Sequence, residues 1–372
     1  MTKRKIFIIT ERRADYSRFR PIMSLLNSDD RFDFDLCVTG IHLLEKSGRT
    51  INEIINDGFN VKYELPMYEE DVDDARSMVS ALGKCISGVS DILYDSRPDI
   101  ILSGFDIAAN LAVTIAGAHM NIPVAHIQGG EVTGTIDESI RHAMSKFSHY
   151  HFAANEDART RLIKMGEKKS HVFNVGCPSI DAILEVDDDR NVLDRFNLVP
   201  GEYYLVLQHA VTTEALRSES QIIETIEAIK KCGMEALFIL PNNDYGHSKI
   251  FEQIKESGFK HIETLKLEEY VNLMKNCAVF VGNSSSGIHE TNIFDVPTVN
   301  IGTRQNSRLR SNNVIDVDYD RRAILEGIQR AHEIKGQSFD KPYGDGTAAA
   351  QIVELLAKID ISENIIQKTI TY

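Results

Sequence analysis

Residues 279–310 carry the side chains best suited to bind an anion. A short apolar run ends in a glycine, three consecutive serines follow, and a helical pattern then carries Glu290. A second strand-like run leads into Arg304. Backbone N–H groups at the start of a helix attract anions, and parallel sheets bind ligands at the carboxyl ends of their strands. An ordinary serine-capped helix is the alternative. The added carboxylate and arginine instead predict a nucleoside diphosphate site, formed by Ser284, Ser285, Glu290 and Arg304.

Three carboxylates in the first half of the chain could transfer protons. Asp106 follows a buried-type strand, while Glu131 and Asp137 lie in the block H-I-Q-G-G-E-V-T-G-T-I-D-E-S-I-R-H at 126–142. Carboxylates that converge on one cleft repel each other, and the repulsion separates their pKa values into those of a general base and a general acid. The structural alternatives are that Asp106 caps a helix and that Asp137 only pairs with Arg141.

A further polar group follows the first strand-like run. The sequence R-A-D-Y-S places Arg13, Asp15 and Ser17 where a strand passes into a helix. This is the ligand edge of a parallel sheet, although Asp15 is equally suited to cap the helix and Arg13 to be solvated. There is no G-x-G-x-x-G pattern here, so we do not expect a dinucleotide cofactor.

Two loops in the second half add candidates. His209 ends a strand-like run, and Asn242 follows the next one along the chain. A lone histidine is most often a hydrogen-bonded structural residue. Opposite a diphosphate, however, it would supply a positive charge or act as an acid. Asn242 offers hydrogen bonds, whereas the neighbouring Asp244 argues against a phosphate-binding loop at that place.

Short apolar strands alternate with amphipathic helices along the chain, which is typical of βαβ units and parallel sheets. The longest helical pattern spans 71–96, and a last one spans 347–359. Residues 179–195 are acidic and show no strand pattern, so we expect a linker there. The pattern predicts an α/β protein with two Rossmann-like domains facing across a cleft. The expected boundaries are 1–178, 179–355 and a tail, 356–372, that packs back on the first domain.

Composition limits the function classes. The 372-residue chain has a net charge of −14, which disfavours nucleic acid or an anionic membrane as a partner. Its five cysteines are scattered without C-x-x-C spacing, which indicates reduced thiols and neither a zinc site nor a disulfide framework. No run approaches the roughly 20 apolar residues of a membrane span. We expect a cytoplasmic protein without a cofactor or a metal.

Five motifs, in this order, resemble those of the hydrolysing UDP-N-acetylglucosamine 2-epimerases. They are R-A-D-Y-S, the block at 126–142, L-Q-H-x-V-T-T, G-N-S-S-S-G and N-I-G-T-R-Q. The likeness spans nearly the whole chain, and G-G-E-V-x-G-T-I-D is its specific part. The non-hydrolysing epimerases carry E-A-G-L-R in place of that block. The resemblance implies a GT-B-type fold with UDP held mainly by the second domain, and a homodimer or homotetramer.

The resemblance also implies roles for individual residues. Asp106, Glu131 and Asp137 fall in the catalytic region, and Arg13 and Ser17 approach the diphosphate. The UDP-binding positions are matched by His209, Asn242, Ser284, Ser285, Glu290 and Arg304, with His209 also expected in catalysis. Asp15, Gln128 and Arg141 complete the expected substrate contacts. Gln128 departs from the family, because many members carry glutamate there and an amide cannot be a base. Either Glu131 or Asp106 then takes that role, or the substrate differs.

The implied reaction converts UDP-N-acetylglucosamine and water to N-acetylmannosamine and UDP, for sialic acid synthesis. UDP leaves by anti elimination through 2-acetamidoglucal, which is then hydrated. An alternative is the same reaction on UDP- or GDP-linked N,N′-diacetylbacillosamine, for legionaminic acid synthesis. A GT-B glycosyltransferase would instead require an acceptor sugar. A non-catalytic sugar-nucleotide sensor is a further alternative, against which the acidic residues argue because they repel a diphosphate.

Overall fold

The computed structural model describes residues 3–69, 75–242 and 244–371. Residues 71–74 of the predicted helix 71–96, and Asn243 beside Asn242, lie outside the described residues. The chain forms two compact units. The first comprises Met1–Glu131, Ile136–Ala182 and Gly346–Tyr372, and the second comprises Val132–Thr135 and Ile183–Asp345. The expected domain boundaries after residues 178 and 355 stay predictions.

Each unit is built on one sheet. In chain order the strands are β1 (Arg4–Thr10), β2 (Phe32–Thr39), β3 (Val61–Leu65), β4 (Ile100–Gly104), β5 (Val124–Ile127), β6 (Tyr150–Ala153), β7 (Val172–Asn174), β8 (Tyr203–Leu207), β9 (Glu235–Ile239), β10 (Lys260–Ile262), β11 (Val279–Gly282), β12 (Thr298–Ile301) and β13 (Val314–Val317). The first sheet has the order β3-β2-β1-β4-β5-β6-β7 and the second β10-β9-β8-β11-β12-β13. Neighbouring strands pair in parallel throughout. The predicted α/β class with two parallel-sheet, Rossmann-like domains is confirmed.

The helices follow the strands in alternation. They are α1 (Arg13–Ser28), α2 (Ile51–Asn56), α3 (Ala75–Ser96), α4 (Ala108–His119), α5 (Asp137–Phe147), α6 (Glu156–Lys164), α7 (Pro178–Leu184), α8 (Asn191–Arg195), α9 (Ser218–Cys232), α10 (His247–Glu256), α11 (Leu267–Asn276), α12 (Ser286–His289), α13 (Arg321–Ile334) and α14 (Ala348–Lys358). The expected linker at 179–195 thus contains helical turns. Among the described residues, no helix combines the length and apolar character needed to cross a bilayer.

The first sheet is buried on both faces, which explains why its central strand is a continuous apolar run. Alternate side chains of a strand point to opposite faces. Ile6 and Ile8 of β1 join one apolar core, and Phe7 and Ile9 join the other. All four side chains are fully buried. A parallel strand covered by helices on both sides needs this composition.

The last helix belongs to the first unit. α14 packs against α1, and its buried residues Ile352, Val353 and Leu356 lie in the same core as Phe19 and Ile22 of α1. Apolar residues spaced three and four apart put one stripe of each helix into this core. Burying an aliphatic side chain of this size contributes about 1.5–3 kcal/mol, so the chain is held firmly where it returns.

The sequence analysis missed one strand and one helix of the second unit. β13 has only four residues and lies at the edge of its sheet, where alternating burial weakens the apolar signal. α13 follows it, and its amino end is capped by Asp320, whose side chain accepts from the N–H of Ala323 over 2.9 Å. β13 extends the second sheet by one strand beyond β12, the strand that leads to Arg304, and α13 follows β13 in the chain.

Candidate active site

Adjacent strands carry the predicted acidic residues to one edge of the first sheet. β1, β4 and β5 are neighbours in this parallel sheet, so their carboxyl ends lie together. Asp106 follows β4, Glu131 follows β5, and Asp137 begins α5. Open parallel sheets bind ligands at this edge, which makes it the candidate catalytic part of the first unit.

Asp106 is paired with an arginine. Nη2 of Arg141 donates to Oδ2 of Asp106. The N-cap residue of α4 is Ile107, which forms no side-chain cap. The first turn of α4 is bound instead by Glu11, whose Oε2 accepts from the N–H of Ala109 over 2.8 Å. The N-cap position of α4 thus belongs to Ile107 and not to Asp106.

Arg141 is a buried cation. The residue is 2% exposed. Burial alone would lower its pKa, but the carboxylates of Asp106, Glu131 and Asp137 outweigh burial and raise the pKa above its ordinary value. Within the described part of the chain, its Nε and Nη1 atoms are buried without a hydrogen-bond partner. Leaving such donors unsatisfied costs free energy, so both are available to a ligand oxygen.

The carboxylate of Glu131 faces two side-chain amides. Nε2 of Gln128 lies 3.5 Å from Oε2, and Nδ2 of Asn155 lies 3.4 Å from Oε1. Both contacts are long, so they orient the carboxylate weakly. Nε2 of Gln128 also lies 3.1 Å from Sγ of Cys177. Gln128 thus stands where it can orient Glu131 with a neutral donor.

Gly130 lets the 126–142 block pass close to α6. Its φ is +80°, and a side chain there would overlap the carbonyl oxygen of Ala158. Nη1 of Arg161, in the same helix, donates to the carbonyl of Gly130 over 2.6 Å. Only glycine accepts both the backbone conformation and the close approach, and the contact fixes the backbone next to Glu131.

Asp15 makes the contacts of the helix-capping alternative. Its two oxygens accept from the N–H groups of Glu11, over 2.9 Å, and Arg12, over 2.8 Å. The residue is fully buried, and burial is the largest cause that raises its pKa to about 6. Asp15 therefore organises the turn from β1 into α1, and its expected contact with a substrate stays a prediction.

Arg13 and Ser17 also have partners near their own helix. Nε of Arg13 donates to Oε2 of Glu53 over 2.9 Å. The hydroxyl of Ser17 donates to the carbonyl of Ala14 over 3.2 Å. The Arg13 side chain is one-third exposed, so a competing anion can reach it. Their expected approach to a diphosphate stays a prediction.

In the second unit, His209 is fixed by its neighbours on adjacent strands. The N–H of His209 donates to Oδ1 of Asn283 over 2.7 Å, and Nδ2 of Asn283 donates back to the carbonyl of His209 over 2.9 Å. The N–H of Asn242 donates to Nδ1 of His209 over 3.2 Å. The loops after β8, β9 and β11 are thereby joined at the carboxyl edge of the second sheet.

Burial and these contacts favour the neutral form of His209. Burial, with a smaller contribution from the positive charge of Arg304, lowers the pKa of His209 well below its ordinary value. Because Nδ1 accepts from Asn242, the neutral ring carries its proton on Nε2. Without a ligand, His209 is therefore a neutral ring that can donate from Nε2, and its expected role opposite a diphosphate stays a prediction.

Arg304 follows β12 at the same edge. Its Nη1 donates to the carbonyl of Asn283 over 3.4 Å, and its Nη2 lies 3.8 Å from Oδ2 of Asp244. Its Nε is buried without a hydrogen-bond partner in the described ranges. A cation with one long ion pair and an unused donor is suited to bind an anion.

The serine loop departs from its prediction in one respect. α12 has four residues, and Glu290 follows it instead of lying one turn inside a longer helix. The hydroxyl of Thr291 donates to the carbonyl of Gly287 over 3.0 Å, and such a bond competes with the helical pattern. Ser284 is 7% and Glu290 8% exposed. With so short a helix, local N–H groups matter more for an anion than a helix dipole does.

Comparison with known proteins supplies the family. A family model described as UDP-N-acetylglucosamine 2-epimerase matches residues 24–357. The chain belongs to the UDP-N-acetylglucosamine 2-epimerase family. Within it, a UDP-N,N′-diacetylbacillosamine 2-epimerase (hydrolyzing) from Legionella pneumophila is 37% identical over 99% of this chain and 100% of its own length. A UDP-N-acetylglucosamine 2-epimerase from Neisseria meningitidis is 31% identical over 92% of this chain and 91% of its own length.

A solved structure supports the same fold. The Methanocaldococcus jannaschii UDP-GlcNAc 2-epimerase, in complex with UDP-GlcNAc and UDP, superposes with a TM-score of 0.83 at 22% identity. The comparison covers 95% of this chain and 99% of that one. The GT-B-type architecture expected from the resemblance is therefore confirmed.

Sequence reasoning missed three residues that organise the site: Glu11, Asn155 and Asn283. Glu11 directly follows β1 and Asn283 directly follows β11, while Asn155 lies two residues after β6. The rule that polar residues after parallel strands line the ligand edge would have found all three. Their partners, in contrast, lie far away in the chain and left no local signal.

Proposed function

We propose that the chain is a hydrolysing nucleotide-sugar 2-epimerase. The reaction releases UDP and inverts the configuration at C2, and the first candidate converts UDP-N-acetylglucosamine and water to N-acetylmannosamine and UDP. The observation that carries the proposal is the Asp106–Arg141 pair at the edge of the first sheet, with the Glu131 charge acting on the same guanidinium. This group combines carboxylates for proton transfer with a cation that has unused donors.

In the first step, a carboxylate removes the proton from C2 while the C1–O bond to UDP breaks. The C2–H electron pair forms the C1–C2 double bond, and the C1–O pair leaves with UDP, giving 2-acetamidoglucal. We assign the base to Glu131, because Asp106 is hydrogen-bonded directly to Arg141 whereas the side chains of Gln128 and Asn155 offer Glu131 neutral amide donors.

In the second step, water adds across the double bond. Its oxygen bonds to C1, and C2 receives a proton on the face opposite the one that lost it. A second carboxyl group, that of Asp106 or Asp137, is proposed to donate this proton to C2. One residue cannot remove a proton from one face of the ring and donate one to the other face. Substrate and one water thus yield the 2-epimeric free sugar and UDP.

Departure of UDP is expected to limit the reaction, because C2–H is not adjacent to a carbonyl and is a weak acid. The second unit is proposed to stabilise the charge that develops on the diphosphate. Arg304 offers its Nε, which has no hydrogen-bond partner among the described residues. The backbone N–H groups of Ser284 and Ser285 are proposed to contribute beside it. His209 would donate a hydrogen bond from Nε2 to the diphosphate as a neutral group. Glu290 would accept from the ribose hydroxyls, and Asn242 would contact the nucleotide.

A second candidate substrate is favoured by one specific observation. The Legionella relative, named as a UDP-N,N′-diacetylbacillosamine enzyme, is more similar to this chain (37%) than the Neisseria UDP-N-acetylglucosamine enzyme (31%). Gln128, which replaces the glutamate of many members, is consistent with a different sugar. The two candidates share nucleotide and reaction, and differ in the substituents on the hexose.

An assay of the released nucleoside diphosphate, UDP or GDP according to the substrate, tests the proposal in the absence of an acceptor sugar. UDP-N-acetylglucosamine and UDP- and GDP-linked N,N′-diacetylbacillosamine are each supplied with enzyme and water alone. We expect nucleotide release from at least one, with a 2-epimeric free sugar in equal amount, and the ratio of kcat/KM values identifies the substrate. Release that requires an acceptor would indicate a glycosyltransferase, and binding without release would indicate a sensor; either outcome overturns the proposal.

A further inference from the structure

We propose that Lys368 is a positioning residue for this reaction. Its ammonium group binds the carboxyl end of α5, the helix whose amino end carries Asp137 and whose second turn carries Arg141. The inference rests on the proposed function. It assigns a role to the chain beyond α14, which follows the second unit in sequence and returns to the first.

Nζ of Lys368 contacts three backbone carbonyls and one carboxylate. Nζ donates to the carbonyls of Ser145 over 2.7 Å, Lys146 over 3.1 Å and Ser148 over 2.6 Å. It also lies 2.5 Å from Oε2 of Glu167. The last carbonyls of a helix have no partner inside it, and a cation there also complements the helix dipole. The Lys368 side chain thus donates hydrogen bonds to backbone carbonyls at the carboxyl end of α5.

Glu167 anchors Lys368 as a charged group. It is 1% exposed. Burial alone would raise its pKa, but hydrogen bonds from His151, Lys146 and Lys368 outweigh burial and lower the pKa to about 2. Nε2 of His151 lies 3.0 Å and Nζ of Lys146 2.6 Å from this carboxylate. A buried anion surrounded by donors holds the Lys368 ammonium in one place.

The C-terminal segment that delivers Lys368 is itself fixed. Nε2 of His149 lies 3.3 Å from the carbonyl of Ile366, and the hydroxyl of Tyr150 donates to the carbonyl of Asp360 over 2.7 Å. Beyond Lys368, the N–H of Thr371 donates to the carbonyl of Gly166 over 2.9 Å. Contacts on both sides of Lys368 therefore define its position.

Rigid contacts connect the carboxyl end of α5 to Arg141. The hydroxyl of Ser145 donates to the carbonyl of Arg141 over 3.0 Å and lies 3.3 Å from Nδ1 of His126 in β5. Arg141 in turn donates to Asp106. A shift at the end of the helix therefore changes where the guanidinium meets the carboxylate, and small displacements of reacting groups cost large factors in rate.

The test compares three variants at two positions, Lys368 and Lys358. Lys368→Met keeps the length of the side chain and removes its charge and donors, and Lys368→Arg restores both. The matched control is Lys358→Met, because Lys358 lies in the same returning segment, is 72% exposed and pairs only loosely, at 3.3 Å, with Glu354. For each variant, kcat, KM, the Kd for UDP and the hydrogen exchange of the α5 amides are measured.

We expect Lys368→Met to lower kcat about tenfold or more while the Kd for UDP stays within twofold. Lys368→Arg should recover most of the loss, and Lys358→Met should behave as wild type. Exchange of the amides at 141–148 should accelerate in Lys368→Met only. An unchanged kcat, or a loss explained by the unfolded fraction alone, overturns the inference. If wild-type protein releases no nucleotide, the proposed function fails and unchanged exchange at 141–148 overturns the positioning role separately.

Discussion

The N–H of Gly134 donates to the backbone carbonyl of Arg304 over 3.2 Å. The hydroxyl of Thr133 reaches the same carbonyl over 3.3 Å, and Nε of Arg308 donates to the carbonyl of Val132 over 2.9 Å. Val132–Thr135, the middle of the 126–142 block, is thereby part of the second unit. The residue predicted to bind phosphate with its side chain therefore also holds this segment with its backbone.

Gly134→Ala should disturb this contact. A Cβ at Gly134 would overlap the carbonyl oxygen of Thr303, and a backbone atom cannot move aside as a flexible side chain does. We expect a loss of about 1–3 kcal/mol in the free energy of unfolding, together with weaker UDP binding as Arg304 shifts. Gly83→Ala is the control, because nothing lies within 4 Å of its added Cβ. Equal stability of the two variants would contradict the prediction.

Glu131→Gln should lower turnover about 10²-fold or more, as the loss of a general base does. The amide keeps the size of the side chain, so the Kd for UDP should not change. Steady-state kinetics and calorimetric titration with UDP measure the two effects. Turnover close to that of wild type would remove Glu131 from the proton transfer.

Asp106→Asn should also lower turnover about 10²-fold, but with a cost in stability that Glu131→Gln lacks. It leaves Arg141, which is 2% exposed, without the counter-charge it contacts. An unpaired buried charge costs roughly 1–3 kcal/mol or more. Urea unfolding of the two variants side by side shows whether only Asp106→Asn shifts the midpoint.

Arg304→Ala should weaken UDP binding about ten- to a hundredfold, which corresponds to the roughly 1.5–3 kcal/mol of a charge-assisted hydrogen bond. Arg322→Ala is the matched control, because Arg322 is 87% exposed on α13. Titration with UDP measures both. An unchanged affinity in Arg304→Ala would exclude this side chain from the nucleotide site.

Reaction in D₂O should place deuterium at C2 of the released sugar. The proposed elimination loses the C2 proton, and hydration returns one from solvent-exchanged carboxylates. Mass spectrometry and proton NMR of the product measure the incorporation. A product without deuterium at C2 would exclude the elimination mechanism.

Stability should fall as the pH drops from 6.5 towards 4. Burial lowers the pKa of His42, His126 and His151 to about 4, 3 and 4 respectively. An unfolded histidine titrates near 6.5, so in this window the unfolded chain binds protons that the folded chain excludes. Each histidine then contributes up to about 1.4 kcal/mol per pH unit.

Asp15 opposes this trend. Its pKa is raised to about 6, so below that pH it favours the folded state. It is one group against these three histidines and His209, whose pKa burial also lowers, so the net free energy of unfolding should still decrease on acidification. Urea unfolding at pH 7.5, 6.0 and 5.0 measures the slope. A flat profile would show that these histidines are not held neutral, and His126→Asn should reduce the slope.

The sequence by itself determined the elements and the edge at which the site lies. Apolar strands and amphipathic helices are local patterns, and the polar residues after β4, β5, β8 and β12 could be read directly because parallel strands present their carboxyl ends together. The length of α12 could not be predicted from the sequence. The residue pattern favours a longer helix, but the hydroxyl of Thr291 bonds to the backbone and competes with it.

The tertiary structure alone decided which residues are partners. The Asp106–Arg141 pair, the Glu131–Asn155 contact and the Lys368–Glu167 pair each join residues well apart in the chain. Their contacts follow from strand order, since β5 lies between β4 and β6, and from the return of α14 to α1. Periodicity reports only which face of an element is apolar. Partner choice depends on how those faces pack, and the packing exists only in the folded chain.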